Sequence, residues 1–190
     1  LKKANRNVLR MIRLVRDMDV LAHLESNQLV LNKEPYDLLS QIDDALEQMS
    51  ERIEQSNIKI IRDYDVNFKP IVFADSERME QVFLNLISNA IKYSDSQNKE
   101  PFIKFSIQEL DNLISVIIED NGVGISKEDM QRIFERFYRA DRSRTRASKI
   151  GGTGLGLAIA KHILEAHGQT IKVTSTLGSG TAFSISIIKP

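Results

Sequence analysis

The sequence predicts an α/β fold, a two-layer sandwich preceded by a long amphipathic helix, and three observations carry that reading. Short runs alternate apolar and polar residues: Ile103, Phe105 and Ile107 against Lys104, Ser106 and Gln108, and Phe183, Ile185 and Ile187 against Ser184 and Ser186. Strands buried on one side have this period of two. Between them lie stretches with apolar residues at three- and four-residue spacing, as in Met79, Val82, Phe83, Leu86, Ile87 and Ala90, the stripe of a helix facing a core. Residues 1 to about 27 lack glycine and proline, and Val8, Met11, Ile12, Val15, Met18 and Ala22 trace one apolar face among arginines and aspartates, as a helix awaiting a partner does.

In chain order, the first helix separates from the rest near Asn32 to Pro35. Leu29-Val30-Leu31 can begin a strand. Asp37 to about Gln55 reads as a second helix carrying Leu38, Ile42, Leu46, Met49 and Ile53, followed by short strands at Ile58 to Arg62 and Ile71 to Ala74. Ser76 to Tyr93 is a third helix, and Leu113 to Glu119 a strand ending at Asp120. A last helix follows the glycine run, through Leu157-Ala158-Ile159-Ala160-Lys161-His162-Ile163-Leu164. The sequence holds no internal repeat.

Three features suggest chemistry. Gly151-Gly152-Thr153-Gly154-Leu155-Gly156 leads directly into that last helix, where unpaired amides and the positive dipole end make a seat for an anion such as phosphate. Asp120-Asn121-Gly122-Val123-Gly124-Ile125 puts a carboxylate at a strand end beside two glycines, which suits recognition of an exocyclic amine such as adenine's. Asn85, Asn89 and Lys92 share a second stripe of the third helix. Asparagine is costly there relative to alanine, whereas a carboxamide oxygen can ligate Mg²⁺ and an ammonium can neutralise phosphate. Taken singly, each has a plainer explanation: a flexible loop, an Asn-Gly turn, a solvated helix face.

Their order is more specific than any one of them. The asparagine helix, Asp120-Asn121-Gly122-Val123-Gly124, then Phe134-Glu135-Arg136-Phe137-Tyr138-Arg139, then Gly152-Thr153-Gly154-Leu155-Gly156-Leu157 resembles the catalytic ATP-binding domain of sensor histidine kinases, with its N, G1, F and G2 boxes in family order across roughly residues 70 to 190. The resemblance implies a mixed sheet covered by helices on one face. It implies ATP and Mg²⁺ as cofactors, with Asn89 as metal ligand, Asn85 and Lys92 at the phosphates, Arg139 near the γ-phosphate and Asp120 on the adenine amine. Tyr93 would meet the base or ribose, and Gly122 and Gly124 would give the base close backbone access. Gly152, Gly154, Leu155 and Gly156 would supply amides, Ile125 and Thr153 belong to the same nucleotide-binding loops, and Thr181 is a further adenine-site candidate.

The resemblance also divides the chain. Residues 1–28 correspond to the second helix of the dimerisation and histidine-phosphotransfer hairpin, and 29–190 to the catalytic domain. Asp19 departs from the family, which has an apolar residue there. The complete hairpin would form a homodimer, and the phosphate would pass from ATP to a hairpin histidine and then to a response-regulator aspartate. His23 lacks the family's acceptor phrase and lies in the second helix, so the acceptor is expected upstream of Leu1. His162 and His167, flanking the end of the last helix, are expected to be structural. The basic stretch Arg139 to Lys149 reads as a mobile lid, packed down by Phe134, Phe137 and Tyr138.

Composition limits the alternatives. Lys plus Arg equals Asp plus Glu at 26 each, which gives no support to nucleic-acid binding. There is no cysteine, hence no disulfide scaffold or thiolate zinc site. No apolar run reaches membrane-spanning length, and the resemblance implies the cytoplasmic portion of a membrane-anchored sensor, joined to the membrane only through missing upstream segments. Two other classes compete: a superfamily ATPase driving a conformational clamp, and a degenerate dimerisation module. The ATPases place a glutamate four residues before the metal-binding asparagine. Here that position is Asn85, and Glu80 points elsewhere around the helix.

Overall fold

The computed structural model of the chain describes residues 30–65, 67–94, 100–139 and 153–190, together with Val8, Met11, Ile12, Val15, Met18 and Ala22. Those six positions are helical and exposed, so the predicted stripe is present there as an apolar face turned to solvent. Val30 is 92% exposed and no strand forms at Leu31. Pairing begins instead at β1 (Glu34–Asp37), which runs antiparallel to β3 (Ile71–Ala74).

Asp37 caps α1 (Leu38–Gln48), its carboxylate accepting from Leu39 N at 2.9 Å, a geometry that satisfies an amide the helix leaves free. The predicted single helix breaks at Met49, whose amide turns back onto the carbonyls of Leu46 and Glu47, and resumes as α2 (Ser50–Gln55). β2 (Lys59–Asp63) follows. Asp75 then caps α3 (Ser76–Tyr93), and Met79, Val82, Phe83, Leu86, Ile87 and Ala90 are all buried as their spacing requires. Beyond it come the hairpin β4 (Phe102–Leu110) and β5 (Leu113–Asp120), the short α4 (Lys127–Met130), α5 (Gly156–Ala166), and the hairpin β6 (Ile171–Thr176) and β7 (Gly180–Ile188).

The main sheet has the order β2-β4-β5-β7-β6, with β2 parallel to β4 and the remaining pairs antiparallel. It is therefore mixed, as expected. Ile103, Phe105, Ile107, Ile114, Val116, Ile118, Phe183, Ile185 and Ile187 form its inner face and join the buried stripes of α1, α3 and α5 in one core. The other face carries Ser106, Ser115, Ser184 and Ser186, and Lys104 meets Glu119 across the β4–β5 ladder at 2.6 Å. One covered face and one polar face follow directly from the alternation.

His167 ties two of the covering helices together. At the end of α5, its Nδ1 donates to Ile163 O at 2.8 Å and its Nε2 accepts from Asp75 N at 3.0 Å, so the neutral ring joins the end of α5 to the start of α3. Burial holds its pKa below the usual histidine value.

Candidate nucleotide site

The candidate site lies where β5, the end of α3, the start of α5 and the β6–β7 hairpin meet. Asp120, the last residue of β5, is 8% exposed. Burial pushes its carboxyl up to about 6, while hydrogen bonds from the backbone of Gly122 and Thr181 pull it back; the Gly122 amide donates at 2.8 Å. A carboxylate kept dry with few donors retains acceptor capacity for a ligand.

The loop after Asp120 is pressed between its neighbours. Val123 N donates to Tyr93 O at 3.0 Å, bringing Gly122 so near that a Cβ there would stand 2.2 Å from that oxygen. Gly124 has φ +69°, and a Cβ would lie 2.1 Å from Thr176 O. These glycines are thus required by close backbone approach as well as by any ligand. Asn121 is engaged on the β4 side: its Oδ1 accepts from Phe102 N and its Nδ2 donates to Glu100 O, each at 2.9 Å.

A residue that sequence reasoning missed holds this corner. Ser175 Oγ lies 2.8 Å from Ile125 N, 2.7 Å from Gly180 O and 2.9 Å from Thr181 Oγ1. Its importance depends on the pairing of Ser175 with Thr181 across the β6–β7 ladder, which no local motif announces.

On the other side, α5 begins at Gly156 without a side-chain cap, leaving its first amides available. Asn85 faces it: a Cβ on Gly156 would stand 3.2 Å from Asn85 Oδ1. Asn85 Nδ2 is buried with no hydrogen-bond partner, an unsatisfied donor of the kind folded proteins rarely keep without a reason. Asn89 is half-buried one turn along the same helix. Lys92 Nζ lies 3.0 Å from Tyr93 Oη and 4.6 Å from its ring centroid. Leu155 is fully buried, and its amide donates to Thr153 Oγ1 at 3.3 Å.

Gly154 O accepts from Phe137 N at 3.0 Å, joining the second glycine segment to the aromatic one. Of the three expected aromatic anchors, Phe134 packs on the core and Tyr138 donates to Asp129 Oδ1 at 2.5 Å. Phe137 departs from the expectation: it has φ +60° and is 57% exposed, its backbone held by the bond to Gly154. Arg139 is half-buried two residues further on. Gly152, Gly151, residues 140–150 of the basic stretch, Asp19 and His23 lie outside the described residues.

Residues 74–190 match the family described as Histidine kinase-, DNA gyrase B-, and HSP90-like ATPase. The chain is 36% identical over 181 residues to the sensor histidine kinase WalK of Bacillus subtilis (strain 168), covering 94% of this chain and 28% of that protein. It therefore spans less than a third of that relative's length. Among solved structures it is similar to the Acinetobacter baumannii histidine kinase AdeS, with a TM-score of 0.80 and 30% identity over 98% of this chain and 82% of that one. Full-length ShkA in complex with AMPPNP gives a TM-score of 0.80 at 26% identity, over 95% of this chain and 36% of that one. With a mixed sheet, uncapped α5 and a dry carboxylate at the end of β5, the class is a nucleotide-binding domain. The chain belongs to the histidine kinase-, gyrase B- and HSP90-like ATPase family, and within it to the ATP-binding domains of sensor histidine kinases.

Proposed function

We propose that the chain binds ATP with Mg²⁺ and presents the γ-phosphate to a histidine on a helical hairpin outside these residues, whence it passes to an aspartate of a response regulator. The observation that carries this reading is the pairing of unsatisfied donors, Asn85 Nδ2 and the uncapped start of α5 that it faces, with the buried acceptor Asp120 at the end of β5, whose following loop bonds to the end of α3. A nucleotide has the complementary order, with anionic phosphates at one end and an amine-bearing base at the other.

Asp120 would accept from the adenine amine, and Gly122 and Gly124 would line the base together with Ile125 and Thr181. Tyr93 would face the base or ribose. Asn85, Lys92 and the amides of Gly154 and Gly156 would hold the phosphates, in a loop shared with Thr153 and Leu155 and joined by Gly152 and by Arg139 near the γ-phosphate. Asn89, half-buried one turn from Asn85 on α3, offers a carboxamide oxygen of the kind Mg²⁺ takes beside water and phosphate oxygens. Asn89 would hold Mg²⁺, which would supply positive charge to offset that of the phosphates. The protein's own task is positioning: an imidazole nitrogen of the hairpin must approach the γ-phosphorus in line, forming P–N as the P–O bond to ADP breaks.

The clamp-ATPase alternative is not favoured, because Asn85 has no basic oxygen to activate water and Glu80 is occupied by Gln48 Nε2 on the α1 side. Residues 1–28 would complete a dimeric hairpin in the whole protein, a role consistent with the exposed stripe Val8, Met11, Ile12, Val15 and Met18. No helix among the described residues is long and apolar enough to cross a membrane, so we assign any anchor to other segments. Calorimetry with ATP and Mg²⁺ tests the reading. Binding is expected, and Asn89→Ala should reduce its Mg²⁺ dependence more than binding itself; no ATP binding by the wild type would overturn it.

A further inference from the structure

We infer that Ser175 is a positioning residue that fixes which way the Thr181 hydroxyl points, and so makes the base pocket select a 6-amino purine over a 6-keto one. The inference rests on the adenine reading of the Asp120 pocket.

Hydrogen-bond bookkeeping carries it. A serine hydroxyl has one hydrogen and two lone pairs. Gly180 O, 2.7 Å away, can only accept, so it takes the Ser175 hydrogen. Ile125 N, 2.8 Å away, can only donate, so it takes one lone pair. One lone pair remains for Thr181 Oγ1 at 2.9 Å, and Thr181 must be the donor in that contact. Its hydrogen is thereby committed to Ser175, and toward the pocket Thr181 Oγ1 has lone pairs alone.

Thr181 pairs with Asp120 across the β5–β7 ladder, so the pocket presents a carboxylate and an acceptor-only hydroxyl together. Two acceptors suit the two N–H bonds of a 6-amino group and oppose the oxygen of a 6-keto group. Without Ser175 the Thr181 hydroxyl could rotate and donate to such an oxygen. The Ile125 amide would also lose its partner. Ser175 thus acts on the base through its neighbours, with no need to touch it.

The test is calorimetric titration of wild type, Ser175→Ala, Ser175→Thr and Thr181→Val with ADP and with inosine diphosphate, each with Mg²⁺. Wild type should prefer ADP. Ser175→Ala and Thr181→Val should each cut that preference about tenfold, and Ser175→Thr, which keeps the hydroxyl, should retain it. An unchanged ADP preference in Ser175→Ala, or an equal loss of both nucleotides as a merely structural defect would give, overturns the inference and leaves the adenine reading standing. Wild type binding both diphosphates equally overturns the adenine reading and this inference with it. Should Ser175→Ala fail to fold, Thr181→Val decides: a preference equal to wild type overturns the inference.

Discussion

Asp120, proposed above to accept from the adenine amine, also carries a pH signature. Its carboxyl rises from 3.8 to about 6 on folding, so folding favours the protonated form. The stability it contributes is complete below the unfolded value and is lost as pH rises through the folded one. At neutral pH the loss is about 3 kcal/mol. Asp120→Asn has no charge to bury. In denaturant unfolding of the nucleotide-free chain, its advantage over wild type should be small at pH 4 and grow toward that figure by pH 7; a difference independent of pH would contradict the assigned burial. Asp120→Ala should remove most ATP affinity, and unchanged affinity would remove Asp120 from the site. The buried carboxylate therefore places recognition and stability in opposition, a familiar condition of functional sites.

At the scale of elements, α3 was fully legible, because its buried stripe recurs over many turns and Asp75 marks its start. The break at Met49 was not, since it contains neither glycine nor proline and is closed by backbone bonds. β6 is less legible: at the sheet edge, its inward positions are Ile171, Val173 and then the polar Ser175, so the apolar alternation is too short to mark a strand. The approach of Gly156 to Asn85 follows the order of the motifs, whereas the place of Ser175 depends on cross-ladder register. Gly122→Ala would force a Cβ against Tyr93 O, separating the β5 loop from α3, and should cost at least about 2 kcal/mol in unfolding free energy with loss of nucleotide binding. His167→Ala removes the acceptor for Asp75 N and should cost about 1–3 kcal/mol at pH 7.5. Since the His167 pKa is depressed by burial, the stability it gives is present above about 6.5 and lost as pH falls through the folded value. The gap between His167→Ala and wild type should therefore narrow under acid, opposite in sense to the Asp120 effect.

For the whole molecule, the question is where the γ-phosphate goes. Of the three histidines, His167 is committed at both ring nitrogens, and His162 stands on α5 beside Glu165 at 3.4 Å, held by the helix itself. His23 lies on the segment expected to pair within the hairpin, without the residues that surround an acceptor in the family. If Asn85 stands where a clamp ATPase has its water-activating glutamate, bound ATP lacks both a prepared water and a prepared imidazole within this chain. Incubation with γ-labelled ATP and Mg²⁺ should accordingly give very slow phosphate release and no labelled protein, His23 included. A version of the protein that includes the preceding hairpin helix should acquire acid-labile phosphate on histidine. Rapid phosphate release by the chain alone would favour the clamp-ATPase reading, and acid-labile label at His23 would move the acceptor onto the first helix.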